Sequence, residues 1–225
     1  FQGGHTPQGI EQAPLDEKSI THWVKHHEDQ VDAFAISSYF SPLNPDHEEK
    51  AFEIIQRVSS LPVVMGHQLS TKIDSIKRAA TACLNASLVI VMQNFIKAVK
   101  ISMAQQGINA PLMIVKGDGT LMPCEIAMQK PVETILSGPA ASAIGGRFLS
   151  GRNSGVIFDV GGTTTDIALM ENGNMKISEN GTKVGTVVTA VKAVNFRTAC
   201  LGCDSAITFK KGNIVTIGPE KVISL

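Results

Sequence analysis

The stretch GVIFDVGGTTTDIALM, residues 155–170, constrains what this chain can fold into more than any other. Val156, Ile157 and Phe158 run into Asp159. Then come Val160, Gly161, Gly162, three threonines and Asp166, and the apolar run resumes at Ile167. β-Branched residues on either side of paired glycines predict strand, tight turn, strand. Gly161 and Gly162 lack Cβ atoms, so the backbone there can bend sharply and approach a ligand closely. Successive N–H groups in such a turn make a concave donor site suited to phosphate oxygens. Thr163, Thr164 and Thr165 add hydroxyl donors. A carboxylate at Asp159 repels phosphate but suits Mg²⁺ held through water, because that ion dehydrates reluctantly. The alternative is a plain β-hairpin. A hairpin turn needs one or two glycines, not an acid at each end and three hydroxyls.

The motif resembles the second phosphate-binding loop of the actin, sugar-kinase and heat-shock ATPase superfamily, D-x-G-G-x-T-x-D between two strands of a hairpin. The version here, DVGGTTTD, is most similar to that of the hydantoinase/oxoprolinase family of ATP-dependent cyclic-amide hydrolases. Other segments resemble the same family in order. NPDHEEKAFEII (44–55) is similar to its N-P-x-H-E helix start, and Asn85-Ala86 falls in the long helix that follows. KGDGTL (116–121) resembles its S-D-G-G segment, with Lys for Ser and Thr for the second Gly. PVETILSGPAASAIGG (131–146) is close to its P-x-x-T-x-x-S-G-P-A-A/G stretch. LGCDS (201–205) resembles a later L-G-G-D-S turn, with Cys203 in place of Gly.

The resemblance implies an α/β, actin-like (ribonuclease H-like) fold. Residues 1–137 would be the C-terminal part of its first lobe, and residues 138–225 the hinge helix and the β-rich start of the second. The family's first phosphate loop and its adenosine-binding segment have no counterpart here, so the resemblance implies a piece of a larger protein. It further implies ATP and Mg²⁺ as cofactors, with Asp159 organising the metal through water and Asp118 as a second catalytic acid. Gly161, Gly162, Thr163, Thr164, Thr165 and Asp166 would cradle the phosphates. The implied reaction phosphorylates the amide oxygen of a hydantoin or 5-oxoproline ring, which water then opens. The implied partners are the small cyclic amide, the remainder of the same chain and a hydantoinase B-type subunit or domain. Two alternatives remain open at this point: an ATP-dependent carboxylase subunit of the acetone carboxylase type, and a non-catalytic actin-like nucleotide switch.

Bulk properties exclude some classes. Twenty basic and twenty acidic residues cancel, which gives no electrostatic case for nucleic acid or an anionic membrane. One Trp and one Tyr make no stacking platform for single strands. The longest apolar segment, 79–103, is interrupted by Asn85, Gln93, Asn94, Lys97 and Lys100 and is read as not spanning a bilayer. The N-terminal residues lack the basic-then-apolar pattern of a secretory leader. Of the four cysteines, Cys200 and Cys203 form a C-x-x-C pair with no second pair or His-x-x-x-His. Reduced thiols in a cytoplasmic protein are the expectation.

Periodicity predicts helices at 15–30, with Ile20, Trp23, Val24 and His27 on one face, and at 44–59, with Asn44 as cap and Pro45 first. Strands are expected at 31–37 and 61–66, giving a βαβ unit. One or two helices are expected over 71–106, with an inward stripe of Leu84, Leu88, Val91, Phe95, Val99 and Met103 and Gly107 just past the end. A buried strand at 111–116 leads to Asp118, whose ordinary role in a D-G turn is to cap its own backbone. A small-residue helix follows at 137–149, its Ala140, Ala141 and Ala143 allowing close approach, with Ser137 as its cap. Hairpins are expected at 165–178 and 206–217. His26 and His27 read as surface and half-buried helix residues, His47 as structural, and His67, just after a strand, as structural with a cleft-facing role as the lesser alternative.

Overall fold

The alternation of apolar strand and amphipathic helix over 31–66 produces the βαβ unit that its spacing requires. In the computed structural model, which describes residues 1–210 and 214–222, helix α1 (Glu17–His27) leads into strand β1 (Phe34–Ile36), helix α2 (Asp46–Val58) and strand β2 (Val63–Met65). The strands pair in parallel, Phe34 beside Val63 and Ile36 beside Met65. Asp16 starts α1 by accepting the Ser19 N–H at 3.0 Å. Asn44 accepts the Asp46 N–H at 2.9 Å, and Pro45 is itself the cap residue of α2, one position earlier than expected.

Ile20 and Val24 of α1 pack with Phe34 and with Ala51, Ile54 and Ile55 of α2. Trp23 does not share this burial. It is 42% exposed and stacks on His27 at 4.3 Å between ring centroids. The other face of the two-stranded sheet, at Val64, is covered by Ala82, Ala86 and Val89 of the 31-residue helix α3 (Ser75–Gln105). The chain therefore places helices on both faces of a parallel pair, an α/β arrangement.

The inward face of α3 differs from the one its apolar stripe suggests. Val91 and Phe95 are exposed, and the buried residues are Arg78, Thr81, Ala82, Asn85, Ala86, Val89 and Ile96. Polar partners decide the rotation. Asn85 donates to the Gln129 carbonyl at 2.8 Å and accepts the Val132 N–H at 3.1 Å. Thr81 accepts the Ala190 N–H at 2.8 Å. A buried polar group without a partner costs about 1–3 kcal/mol, so these bonds outweigh the burial of a few more methylenes on the other face. By length and composition alone, α3 is apolar enough to cross a membrane. It packs on β1, β2 and helix α4 (Cys124–Gln129), with 33% of its most apolar 18-residue window buried.

Strands β3 (Met113–Val115) and β4 (Leu121–Pro123) form a short pair around KGDGT and precede α4. Met113 is 42% exposed, so β3 is not the buried strand expected. The Ala-rich helix α5 (Ser137–Ser150) follows. Leu136, at φ 63°, is its cap residue, and Ser137 lies inside the first turn rather than capping it.

An antiparallel sheet then forms in the order β10 (Phe196–Ala199), β6 (Thr165–Glu171), β5 (Gly155–Val160), with β7 (Asn174–Met175) also on β6. Asn172 and Gly173, both at positive φ, make the two-residue turn between β6 and β7. Strands β8 (Lys183–Val184) and β9 (Val187–Val188) form a separate small pair. Strands β11 (Ser205–Lys210) and β12 (Ile214–Lys221) form the expected last hairpin; its turn residues 211–213 lie outside the described residues.

Two compact units result, one of Phe1–Ile114, Leu121–Ile135 and Asn180–Lys192, the other of Val115–Thr120, Leu136–Glu179 and Ala193–Leu225. The division expected at 137–138 lies beside one of the points where the chain passes between them, but the units interleave.

In the second unit Ala140 and Ala143 are buried against Ala168 and Val194, with Ile157 and Phe196 alongside. Ala141, expected at the same close approach, is exposed. Ala143→Leu is therefore expected to destabilise by about 1–3 kcal/mol through overpacking, and Ala141→Leu to change stability by less than about 0.5 kcal/mol. Denaturant titration of the two variants checks this, and equal midpoints would contradict it.

Candidate functional site

Strands β5 and β6 hold the paired-glycine motif in a four-residue loop, 161–164, closed by the Gly161 N–H donating to the Thr164 carbonyl at 2.9 Å. The register puts Val160 opposite Thr165 and Asp159 opposite Asp166. Directly opposed residues point to the same face with Cβ atoms roughly 4.5–5.5 Å apart. The face is the one carrying Ile157 and Ala168, which pack with α5. Two like charges opposed in this way repel and weaken the hairpin. Thr198, opposite Asp166 on β10, donates its hydroxyl to one Asp166 oxygen at 2.5 Å. The Asp159 side chain has no hydrogen bond or ion pair among the described residues.

The loop's donors divide. The Gly161 N–H is engaged inside the loop, and the Thr165 hydroxyl donates to the Leu201 carbonyl at 2.7 Å. The N–H groups of Gly162, Thr163 and Thr164, and the hydroxyls of Thr163 and Thr164, have no partner among the described residues. The phosphate cradle is thus narrower than the motif suggests: three backbone donors and two hydroxyls on a tight turn beside a carboxylate pair. That donor set suits phosphate oxygens. The pair fits Mg²⁺ as that ion is usually held, by one or two carboxylates with waters and substrate phosphates completing an octahedron. Among the described residues no cluster of three or more His, Cys, Asp or Glu side chains could cage a metal.

The second acid, Asp118, sits in the KGDGT turn of the same unit. Its Oδ1 accepts the Thr120 N–H at 2.9 Å and the Thr120 hydroxyl at 2.7 Å, and Lys116 Nζ lies 3.3 Å from Oδ2. Partial burial pushes its pKa up, but the Thr120 hydrogen bonds and the Lys116 charge outweigh that and hold it below the usual carboxylate value. The side chain is therefore ionised at neutral pH and already occupied in capping its turn. The turn is fixed to the unit by Val194 donating to Gly117 at 2.8 Å. It also lies against α5, where a Cβ on Gly119 would come 2.4 Å from Ile144 Cδ1.

His67 and His47 are each held by a carboxylate. The backbone N–H and the Nδ1 of His67 both meet the Oε2 of Glu48, at 2.9 and 2.8 Å, and Glu48 is fully buried. His47 accepts the Gly4 N–H on Nδ1, so its Nε2 carries the proton that meets Glu11 at 2.9 Å. All four cysteines are free thiols; Cys124 is buried and Cys83, Cys200 and Cys203 are exposed.

Residue-by-residue reading missed the part played by LGCDS (201–205). Cys203 and Asp204 donate their backbone N–H groups to the carbonyls of Gly161 and Gly162, at 3.0 and 2.8 Å. The only signal for it was the resemblance of those five letters to a family turn.

The sequence matches the Hydantoinase/oxoprolinase family over residues 78–224 and the Hydantoinase/oxoprolinase N-terminal region over residues 1–59. It is 31% identical over 179 residues to the caprolactamase subunit alpha of Pseudomonas jessenii, covering 76% of this chain and 25% of that protein. It is 30% identical over 173 residues to the acetophenone carboxylase gamma subunit of Aromatoleum aromaticum, covering 72% of this chain and 23% of that one. The crystal structure of the ATP-dependent caprolactamase from Pseudomonas jessenii superposes with a TM-score of 0.81 at 27% identity, over 98% of this chain and 32% of that chain. This chain thus spans about a quarter of the length of the curated relatives it matches. Its fold is the α/β, actin-like one of these ATP-dependent enzymes. The chain belongs to the hydantoinase/oxoprolinase family.

Proposed function

We propose that this chain carries the second phosphate loop of an ATP-dependent enzyme that opens cyclic amides. The observation supporting the reading most is the loop 161–164, whose unpartnered N–H groups stand beside the opposed carboxylates of Asp159 and Asp166. Donors at Gly162, Thr163 and Thr164 would hold β- and γ-phosphate oxygens. Asp159, which has no other partner, would take a water of the metal ion. Mg²⁺, when bound, would neutralise charge that builds up on the transferring phosphoryl group. Asp118 stays ionised and could take up a position toward the substrate only by leaving Thr120.

Relatives include a caprolactamase and an acetophenone carboxylase subunit. The first name supports hydrolysis of a ring amide. The second supports the other reading, activation of a ketone for carboxylation. Both relatives are named as subunits, which supports a separate partner chain for the full-length protein.

The test is turnover by the full-length protein with its partner subunit. ADP release that depends on a hydantoin, 5-oxoproline or another lactam is the expected result. ADP release that requires a ketone and bicarbonate instead would favour the carboxylase reading, and turnover indifferent to any small substrate would sink both. The 225-residue chain by itself is expected to bind ATP weakly, because a clamp needs donors on both sides of the phosphates to position them. Calorimetry showing micromolar affinity for the isolated chain would contradict that.

A further inference from the structure

The turn 201–205 lies behind the loop 161–164 and is hydrogen-bonded to it through backbone N–H groups. A trans peptide is planar, so the carbonyl of one residue and the N–H of the next point in opposite directions. The Gly161 carbonyl accepts from Cys203, and the Gly162 carbonyl accepts from Asp204. The N–H groups of Gly162 and Thr163 are therefore turned away from 201–205, which leaves them as the free donors of the loop. Without those two bonds either peptide unit can rotate and point its carbonyl where a phosphate oxygen would lie.

The approach is as close as backbone allows. A Cβ on Gly202 would lie 2.3 Å from the Gly162 oxygen and 2.7 Å from the Gly161 oxygen. A Cβ on Gly162 would lie 3.0 Å from Asp204 Oδ2, which is buried and accepts no hydrogen bond among the described residues. The turn is also braced from within and from the hairpin. Ser205 Oγ accepts the Gly202 N–H at 2.9 Å, and the Thr165 hydroxyl holds the Leu201 carbonyl.

We infer that Gly202, Cys203 and Asp204 are positioning residues of the phosphate loop, orienting the Gly162 and Thr163 N–H groups toward the anion. The inference rests on the phosphate-binding reading above. Cys203 acts through its N–H alone, so its thiol is free to vary. Gly202 acts by having no side chain.

The test compares Gly202→Ala with Gly155→Ala in the full-length protein. A Cβ on Gly155 meets nothing within 4 Å, so that variant is the control. Gly202→Ala must push the loop by roughly 1 Å, a misplacement that costs on the order of a hundredfold in turnover. ATP affinity by calorimetry is expected to fall about tenfold, the loss of one charge-assisted hydrogen bond. Hydrogen exchange of the amides at 161–164, measured without nucleotide, is expected to speed up in Gly202→Ala and stay unchanged in Gly155→Ala.

If Gly202→Ala does not fold, Ser205→Ala releases the same turn more gently and is expected to move affinity and exchange in the same direction. Unchanged loop exchange and affinity in the folded variant overturn the inference while leaving the phosphate reading standing. Failure of the wild-type protein to bind ATP overturns the phosphate reading and the anion role with it; the exchange arm then reports only whether the turn holds the loop.

Discussion

ATP turnover by the full-length protein is expected to fall to background when Asp159 is replaced by Ala, with the melting temperature unchanged or slightly raised. The two halves of this result come from one geometry. The Asp159 side chain has no hydrogen bond or ion pair among the described residues, so truncating it removes neither from the fold. It stands opposite Asp166 on the same face of an antiparallel pair, where like charges cost stability. Removing one charge relieves that repulsion, worth about 0.2–1 kcal/mol for a cross-strand pair. A sequence that keeps a repulsive pair beside unpartnered N–H groups is consistent with a cation that joins the two acids. Asp159→Asn separates the effects further, since it keeps the shape and removes the charge. Wild-type turnover in either variant would remove Asp159 from the mechanism.

The largest stability effect is expected in the first unit. Arg78 and Glu48 are both fully buried. The Arg78 guanidinium donates to the carbonyls of Lys72, at 2.9 Å, and Ser38, at 2.5 Å. Glu48 accepts the Ser38 N–H at 2.8 Å as well as the two donors of His67. Burial pushes the Arg78 pKa down, and the Glu48 and Asp74 charges oppose that shift. These hydrogen bonds tie the end of β1 to the start of α2, the turn after β2 and the start of α3, and the two buried charges attract each other without direct contact.

Removing one of two opposite buried charges strips the other of its nearest compensation and breaks its own hydrogen bonds, at up to about 3–5 kcal/mol. Arg78→Met is expected to cost that much, and Glu48→Gln a similar amount because the amide places an N–H against the donors of Ser38 or His67. The double variant is expected to cost less than the sum, since neither charge then stays buried alone. Chemical denaturation of the four proteins reads this directly, and strict additivity would show that the charges do not interact.

Local chemistry made the hairpin legible. Its strands follow from β-branched runs, its turn from paired glycines, and its acids fall opposite each other once the loop length is known. The βαβ unit was legible for the same reason, because period and spacing are local. The inward face of α3 was not. Its rotation is set by Asn85 bonding to Val132, 47 residues on, and by Thr81 bonding to Ala190, 109 residues on. An apolar stripe can be counted in sequence, but a buried amide is recognisable only when its partners are known. Asn85 therefore read as an interruption of a greasy segment when it is the residue that fixes it.

The role of His67 was not legible either, since its partner Glu48 lies 19 residues back on a helix. The engagement of Gly161 and Thr165 was also invisible, because a glycine-rich loop does not reveal which of its donors close the loop itself.

The interleaving of the two units bears on how the protein is made and cut. Asn180–Lys192 completes the first unit, yet Leu136–Glu179 of the second is synthesised before it. On the ribosome, Thr81 waits for Ala190 until the β5–β6 hairpin of the other unit has emerged, so the first unit is completed only after the second has begun. Contacts this distant close slowly and leave surface open in the meantime. A protease nick within 136–179 separates the two strands of one unit's chain path from the last segment of the other. No single scission point yields two self-sufficient fragments, and a gene fusion or split-protein design that breaks there would disable both.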